Sequence, residues 1–284
     1  MANKLEYSCD VCSSKEAVAL PYVEFYTGGQ PLHVCKQCGF VYVKYRRSAQ
    51  EIADAWSNEC YGHRYTATIP AVVARQTFVC EFIDQAVGLS DKVLFDIGAG
   101  EGKFLEYAAL RNCSVFGIEP SQANCDLMKQ SGIRHFCGTI ESYQASADFE
   151  RDLADIVTVM WTLENCTSAR NMIQAGVNLL KPGGHLVVST GSRILVPFKK
   201  PLGTYLGNSP ADLHCFRFSA QTLKKLLSSC GLTIVTSNEY LTNDILCVVA
   251  KKEGSSTEEH PGDNWRKVYD FFERWHKESL HYER

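Results

Sequence analysis

The chain has 284 residues, 45% of them hydrophobic, enough for one large core and a small appendage. With 29 basic against 32 acidic side chains the net charge is −3, and no long basic run offers an electrostatic grip on nucleic acid. The opening Met1-Ala2-Asn3-Lys4-Leu5-Glu6 lacks the pattern of a secretory signal, and no apolar run reaches membrane-spanning length, so a cytoplasmic protein is expected.

In chain order, the first signal is a pair of knuckles, Cys9-x2-Cys12 and Cys35-x2-Cys38-Gly39, separated by 22 residues. Two residues between thiolates let both sulfurs turn toward one ion, and Gly39 can supply the turn that aims backbone N–H groups at sulfur. Four thiolates leave no open coordination position. The expectation is therefore a structural zinc ribbon over residues 1–48, held by Cys9, Cys12, Cys35 and Cys38, with a redox pair as the competing reading. Alternation in Phe40-Val41-Tyr42-Val43-Lys44-Tyr45 predicts a strand after the second knuckle. The other nine of the 13 cysteines sit mostly in apolar or helical contexts and read as small core residues.

Residues 49–88 read as a helical connector or lid. Ser48, with Glu51 three positions on, forms a capping box. A second helix is expected from Val72 to Val87, with Val72, Phe78, Val79, Phe82 and Ile83 on its buried face. Between the two helices, Asn58-Glu59-Cys60-Tyr61-Gly62-His63-Arg64-Tyr65 is an aromatic and polar loop that could cover a cofactor through Tyr61 and Tyr65.

From residue 89 to 252, alternating apolar runs and helical segments predict an α/β, doubly wound sheet. Its first strand, Val93-Leu94-Phe95-Asp96-Ile97, breaks into Gly98-x-Gly100-x-Gly102, a turn in which main-chain N–H groups can approach a ligand closely as a helix starts. Asp96 falls at the carboxyl end of that strand, where open α/β sheets place ligands. The dinucleotide fingerprint wants a further glycine where Lys103 stands, which weakens a nicotinamide reading. A second acid, Glu119 in Gly117-Ile118-Glu119-Pro120, ends the next apolar run and is suitably placed for two ribose hydroxyls. An adenosine-containing ligand without a pyrophosphate fits both features. Strands are then expected at Asp155–Trp161 and in Leu180-Lys181-Pro182-Gly183-Gly184-His185-Leu186-Val187-Val188-Ser189. Ser219 caps a helix that Gly231 stops, and strands near 232–239 and 245–250 follow. Residues 253–284 read as a linker and an amphipathic helix carrying Trp265, Val268, Phe272 and Trp275, which docks on its own chain or on a partner.

This order of elements resembles the class I S-adenosylmethionine-dependent methyltransferases, with Asp96, Gly98, Gly100 and Gly102 matching the first family motif and Glu119 the second. The resemblance implies a seven-stranded Rossmann-like sheet whose last strand is antiparallel. It also implies that the glycine turn holds the methionine part, that Glu119 binds the ribose with Pro120 beside it, and that Gly138-Thr139-Ile140-Glu141 contacts the adenine. Trp161 and Thr162 would line the same pocket. With its ribbon, the chain also resembles bacterial enzymes that methylate sugars and surface polysaccharides. The sugar C-methyltransferases among them have a large C-terminal domain not found here, which favours hydroxyl over carbon methylation. The implied substrate is a sugar or similar small polar metabolite.

Methyl transfer from a sulfonium needs positioning above all, and an alcohol acceptor also needs a base. His214 is the candidate base and Glu164, just beyond the fourth strand, a candidate for orienting substrate. A histidine bonded to a backbone carbonyl and a solvated helix-start acid are the plainer readings of the two. The base-methylating signature Asn/Asp-Pro-Pro-Tyr is absent after the fourth strand, where Met160-Trp161-Thr162-Leu163-Glu164-Asn165 stands, and no Pro-Cys nucleophile is present. Residues 1–48 hold six basic and four acidic side chains, a thin margin for binding a polyanion, so nucleic acid is an unlikely partner. Two alternatives remain open: a ribbon that brings RNA or protein to the enzyme, and a cofactor-binding protein without turnover.

Overall fold

The computed structural model describes residues 4–56, 70–191, 200–206, 214–238, 245–253 and 259–282. The loop bearing Tyr61 and Tyr65 lies outside them, as do Cys60 and most of the segment between Gly191 and His214. The N-terminal part contains β1 (Leu5–Glu6), β2 (Ala17–Ala19), α1 (Val23–Tyr26), β3 (His33–Cys35), β4 (Val41–Tyr42) and β5 (Tyr45–Arg46). Two connecting helices follow, α2 (Ala49–Ala55) and α3 (Pro70–Val87). Ser48 and Glu51 form the reciprocal capping box at α2. On α3 the buried stripe is Val72, Val79, Cys80 and Ile83, whereas Phe78 is 39% exposed. Phe78 precedes Val79 by one residue, and the helical rotation between neighbours carries its ring off the packed face.

The central domain runs β6 (Val93–Ile97), α4 (Lys103–Ala109), β7 (Ser114–Glu119), α5 (Gln122–Gln130), β8 (His135–Cys137), α6 (Ile140–Gln144) and β9 (Ala154–Met160). It continues with α7 (Ala169–Leu179), β10 (Leu180–Thr190), α8 (Leu202–Leu206), β11 (Phe216–Arg217), α9 (Ala220–Ser229), β12 (Leu232–Ser237) and β13 (Leu246–Lys252). Seven of these strands form one sheet in the order β12-β13-β10-β9-β6-β7-β8. Pairing is parallel from β10 to β8, while β13 runs antiparallel to both β10 and β12.

Because side chains alternate across a strand, the sheet feeds two cores. On β13, Leu246, Val248 and Ala250 pack with α7 and α9, whereas Cys247 and Val249 pack with α3, α4 and α5. Seven of the cysteines outside the knuckles, Cys80, Cys113, Cys125, Cys166, Cys215, Cys230 and Cys247, are buried, and Cys137 is exposed.

The ribbon is not a bead on a string. β11, which lies in sequence after the sheet's fifth strand, pairs antiparallel with β4 and completes a four-stranded sheet of order β11-β4-β3-β2. The C-terminal helix α10 (Trp265–Ser279), capped by Asn264, closes a third core with α8 and the ribbon. Its Val268, Phe272 and Trp275 meet Leu20, Leu32, Val34, Val41, Leu202 and Leu206, and Trp275 Nε1 donates to the Lys200 carbonyl at 2.9 Å. The tail helix thus docks on its own chain. Among the described residues, no helix is long and apolar enough to cross a membrane.

Candidate functional site

The strand order reverses at β6, since β7 continues on one side and β9 on the other. Open α/β sheets bind ligands at the carboxyl ends of strands at such a point. A cleft opens there, lined by Ile97 at the end of β6 and Gly98 after it, Ile118 and Glu119 at the end of β7 and Pro120 after it, and Trp161 and Thr162 after β9. Thr139, Ile140 and Glu141 at the start of α6 form a further wall, and Asn165, Cys166 and Thr167 another.

The glycine turn has different reasons at different positions. A side chain at Gly98 would overlap Thr162 Oγ1 and Cγ2, so the turn lies tight against the segment after β9. Gly102, at φ +80°, opens α4, and a Cβ there would come within 2.7 Å of Met128 and 2.8 Å of Ile133. It does the helix-packing task that the dinucleotide pattern assigns to the next position. Around Gly100 a Cβ would meet nothing, so the backbone stands open on that side.

Asp96 does not face water: it is 1% exposed and accepts a 2.7 Å bond from Thr158 Oγ1. Burial pushes its carboxyl up to about 7, the Thr158 bond pulls it down, and the nearby Glu119 charge raises it. Glu119 is 3% exposed and cradles the turn. Gly100 N donates to its Oε2 at 2.9 Å, while Ser121 N at 2.9 Å and Asn124 Nδ2 at 3.3 Å donate to Oε1. Burial raises its pKa against these donors.

Trp161 holds φ +53°, a conformation that costs a bulky residue energy and is retained where surrounding structure enforces it. Its backbone N–H donates to the Ser189 carbonyl at 2.7 Å, and the Arg75 guanidinium from α3 lies 4.3 Å from its ring centre. Trp161 lines the cleft beside Thr162.

Glu164 and His214 are not among the cleft-lining residues, and neither are Asp96, Gly100 and Gly102, which lie in the strand end and turn beside it. Glu164 is 3% exposed, in the 3₁₀ turn Leu163–Asn165, where it accepts bonds from the Thr190 side chain and the Gly191 backbone. Burial raises its pKa, and the Arg217 charge opposes this. His214 packs against Trp56 with ring centres 5.6 Å apart and planes tilted by 35°, and it is Trp56 that lines the cleft. It is half-buried by surface, yet desolvation, with the Arg217 charge adding, lowers its pKa to about 3. Such a ring stays neutral through the whole physiological range and is a weak proton acceptor. Arg217 Nη1 donates to the His214 carbonyl.

Motif reading passed over several wall residues. Ala49, Ile52, Ala53 and Trp56 line the cleft from one face of α2, a legible i, i+3, i+4, i+7 pattern that signals a buried stripe without saying against what. Thr158, which holds Asp96, was visible as a lone hydroxyl inside an apolar strand. Thr167 carries no local signal.

In the ribbon, the four cysteine sulfurs lie within 4.8 Å of one another, with Cys9–Cys38 and Cys12–Cys35 pairs both at 3.5 Å. This is far longer than a disulfide and close to the ~3.8 Å edge of a tetrahedron with ~2.3 Å metal–sulfur bonds. Each knuckle is followed by a residue of positive φ, Gly39 at 68° and Ser13 at 62°, so the two halves are built alike. Gly39 is further constrained by the C-terminal strap: a Cβ would come within 2.6 Å of the Asp263 carbonyl, whose own N–H donates to the Cys38 carbonyl at 2.9 Å. The donor set and spacing fit a closed four-thiolate ion.

Comparison with known proteins adds the following. The family described as "Methyltransferase domain" matches residues 73–237. A ubiquinone biosynthesis O-methyltransferase of Marinobacter nauticus is 34% identical over 119 residues, 39% of this chain and 49% of that protein. Its counterpart in Coxiella burnetii is 33% identical over 133 residues, 45% of this chain and 54% of that protein. The chain thus spans about half the length of these curated relatives. Among solved structures, the Burkholderia thailandensis 1,6-didemethyltoxoflavin-N1-methyltransferase with bound S-adenosylhomocysteine has TM-score 0.55 at 16% identity, covering 76% of this chain and 96% of that one. A cyclase, SpnF, shares the fold with TM-score 0.53 at 16% identity, covering 73% of this chain and 97% of its own.

Proposed function

The chain belongs to the methyltransferase-domain family, and from that premise we propose that it transfers the methyl group of S-adenosylmethionine to a hydroxyl of a small polar acceptor. The single observation that carries this reading is the convergence of Gly98, Glu119, Pro120, Ile140, Glu141, Trp161 and Thr162 on one cleft at the sheet's switch point. In it, Glu119 would take the ribose hydroxyls and the segment Thr139–Glu141 the adenine, and the glycine turn from Gly98, which lines the cleft, to Gly100 beside it would take the methionine part. Asp96, through its place beneath the turn, favours a cationic ligand once it ionises. Tyr61 and Tyr65 are proposed to cover the cleft.

In the reaction, the acceptor oxygen attacks the methyl carbon in line with the departing sulfur. A C–O bond forms, the C–S bond breaks, its electron pair stays on sulfur as S-adenosylhomocysteine, and the acceptor proton passes to a base or to water. We retain His214 as the candidate acceptor for that proton and Glu164 as the candidate orienting group. Hydroxyl chemistry is favoured by the O-methyltransferases among the relatives. A sugar acceptor rests on the resemblance of the ribbon and its flanking segments alone.

We further propose that Cys9, Cys12, Cys35 and Cys38 hold a zinc ion whose role is structural, since four thiolates leave it no open position. A ribbon that recruits RNA or protein is less favoured, because α10 already covers one of its faces.

The test is incubation with labelled S-adenosylmethionine and separate pools of nucleotide sugars, glycans, hydroxylated aromatics, RNA and protein. Label in a small-molecule hydroxyl is expected. Label confined to RNA or protein sinks the small-acceptor reading, and binding of S-adenosylhomocysteine with no transfer to any pool favours a protein without turnover.

A further inference from the structure

The first cysteine knuckle and the cofactor cleft are joined through one buried side chain. Arg46, at the end of β5, is 0% exposed and spans three partners. Its Nε donates to the Val43 carbonyl at 2.7 Å, its Nη2 to Asp10 Oδ2 at 2.7 Å, and its Nη1 to the carbonyl of Thr167. Asp10 lies between Cys9 and Cys12, inside the knuckle, and Thr167 lines the cleft. The guanidinium is sandwiched by aromatic rings, with Tyr7 at 4.4 Å and Phe216 at 4.7 Å.

Further bonds tie the same two places together. Ser168 Oγ donates to Asp10 Oδ1 at 3.1 Å, and Arg170, in the first turn of α7, donates to the knuckle carbonyls of Asp10 at 2.9 Å and Val11 at 2.7 Å. On the cleft side, the Thr167 hydroxyl is buried, the residue being 7% exposed, and has no hydrogen-bond partner among the described residues. The neighbouring Asn165 uses its Nδ2 on the Trp161 carbonyl at 2.9 Å and leaves Oδ1 equally unsatisfied. Buried polar atoms without partners beside a ligand cleft are what a bound polar group would satisfy.

We propose that Thr167 is a direct cofactor contact and that Arg46, by bracing it against Asp10 of the first knuckle, makes the ribbon a working part of the S-adenosylmethionine site. Arg46 is a positioning residue in this scheme: it touches no ligand and acts through the Thr167 backbone. The inference rests on the cofactor reading given above.

The experiment is calorimetric titration of the full-length, metal-loaded protein with S-adenosylhomocysteine, for wild type, Thr167→Val, Arg46→Lys and Arg46→Met. Thr167→Val keeps the backbone carbonyl that Arg46 holds and removes only the hydroxyl, and it should bind about three- to tenfold more weakly. Arg46→Lys keeps a cation for Asp10 but has no planar fork to reach Thr167 as well. Its unfolding transition should therefore stay nearer to wild type than that of Arg46→Met, while its affinity falls with that of Arg46→Met. Steady-state kinetics on the same proteins should raise KM for the methyl donor with little change in kcat. Wild-type affinity in both Thr167→Val and Arg46→Lys overturns the proposal while leaving the cofactor reading intact. Failure of the wild type itself to bind S-adenosylhomocysteine overturns that reading and the proposal with it.

Discussion

His214 provides a sharp test of the packing at the junction between ribbon and sheet. Its folded-state pKa is lowered from 6.5 to about 3, chiefly by burial and then by the Arg217 charge. As pH falls below 6.5 the unfolded chain takes up a proton that the folded chain refuses, so the folded state loses stability steadily toward pH 3. At pH 5 the loss is about 2 kcal/mol, taking ~1.4 kcal/mol for each pH step below the unfolded value. Asp96 works in the opposite direction. Its folded pKa is raised from 3.8 to about 7, so the folded chain holds the extra proton and gains stability as pH falls through that window. The wild-type profile alone is therefore ambiguous, and the informative quantity is the difference between wild type and His214→Gln. Urea unfolding at pH 7.5 and pH 5.0 should show the wild type losing about 2 kcal/mol more than the variant over that interval. Equal changes, within about 0.5 kcal/mol, would refute the reasoning that desolvation by Trp56 and neighbours keeps this ring neutral.

Other outcomes follow from the same geometry. S-adenosylmethionine affinity should rise with pH between 5 and 7, because a cationic ligand favours ionised Asp96, and Asp96→Asn should flatten the profile; a flat wild-type curve in calorimetry would oppose this. Gly98→Ala forces a side chain into Thr162 at φ +78° and should destabilise the fold by roughly 2–3 kcal/mol in denaturant titration, with cofactor affinity reduced as well. Elemental analysis should find one zinc per chain, lost in Cys35→Ser with a stability loss on the order of several kcal/mol. His214→Ala should retain S-adenosylhomocysteine affinity, and turnover in the same variant decides its role: loss keeps His214 as the candidate proton acceptor, and unchanged turnover, the outcome its lowered basicity favours, removes it.

Legibility differed by the range of the interaction concerned. The knuckles, the capping box at Ser48, the cap at Ser219, the glycine turn and the strands of the sheet depend on neighbours a few residues away, and the spacing of those residues shows them. The buried face of α3 was legible at Val72, Val79, Phe82 and Ile83 but not at Phe78: Phe78 and Val79 are both apolar, and only the packing of the helix on α4 and the sheet puts Val79 in and Phe78 out. The tail helix was legible as amphipathic, with its partner open. Nothing local tells Trp275 that it will fill a core shared by α8 and the ribbon.

By itself, then, the sequence determined an α/β sheet with a glycine turn after its first strand, a second acid at the end of the next strand, and two cysteine knuckles, because each is a short-range pattern of residue types. Only the tertiary structure decided that a strand from after the fifth sheet strand completes the ribbon, that His214 packs against Trp56 with its basicity suppressed, and that Glu164 is turned toward Thr190 and Gly191. It alone decided, too, that Arg46 reaches across 121 residues of chain to Thr167. These are contacts between segments far apart in the chain, and a buried charge or hydroxyl takes its character from whichever distant group surrounds it.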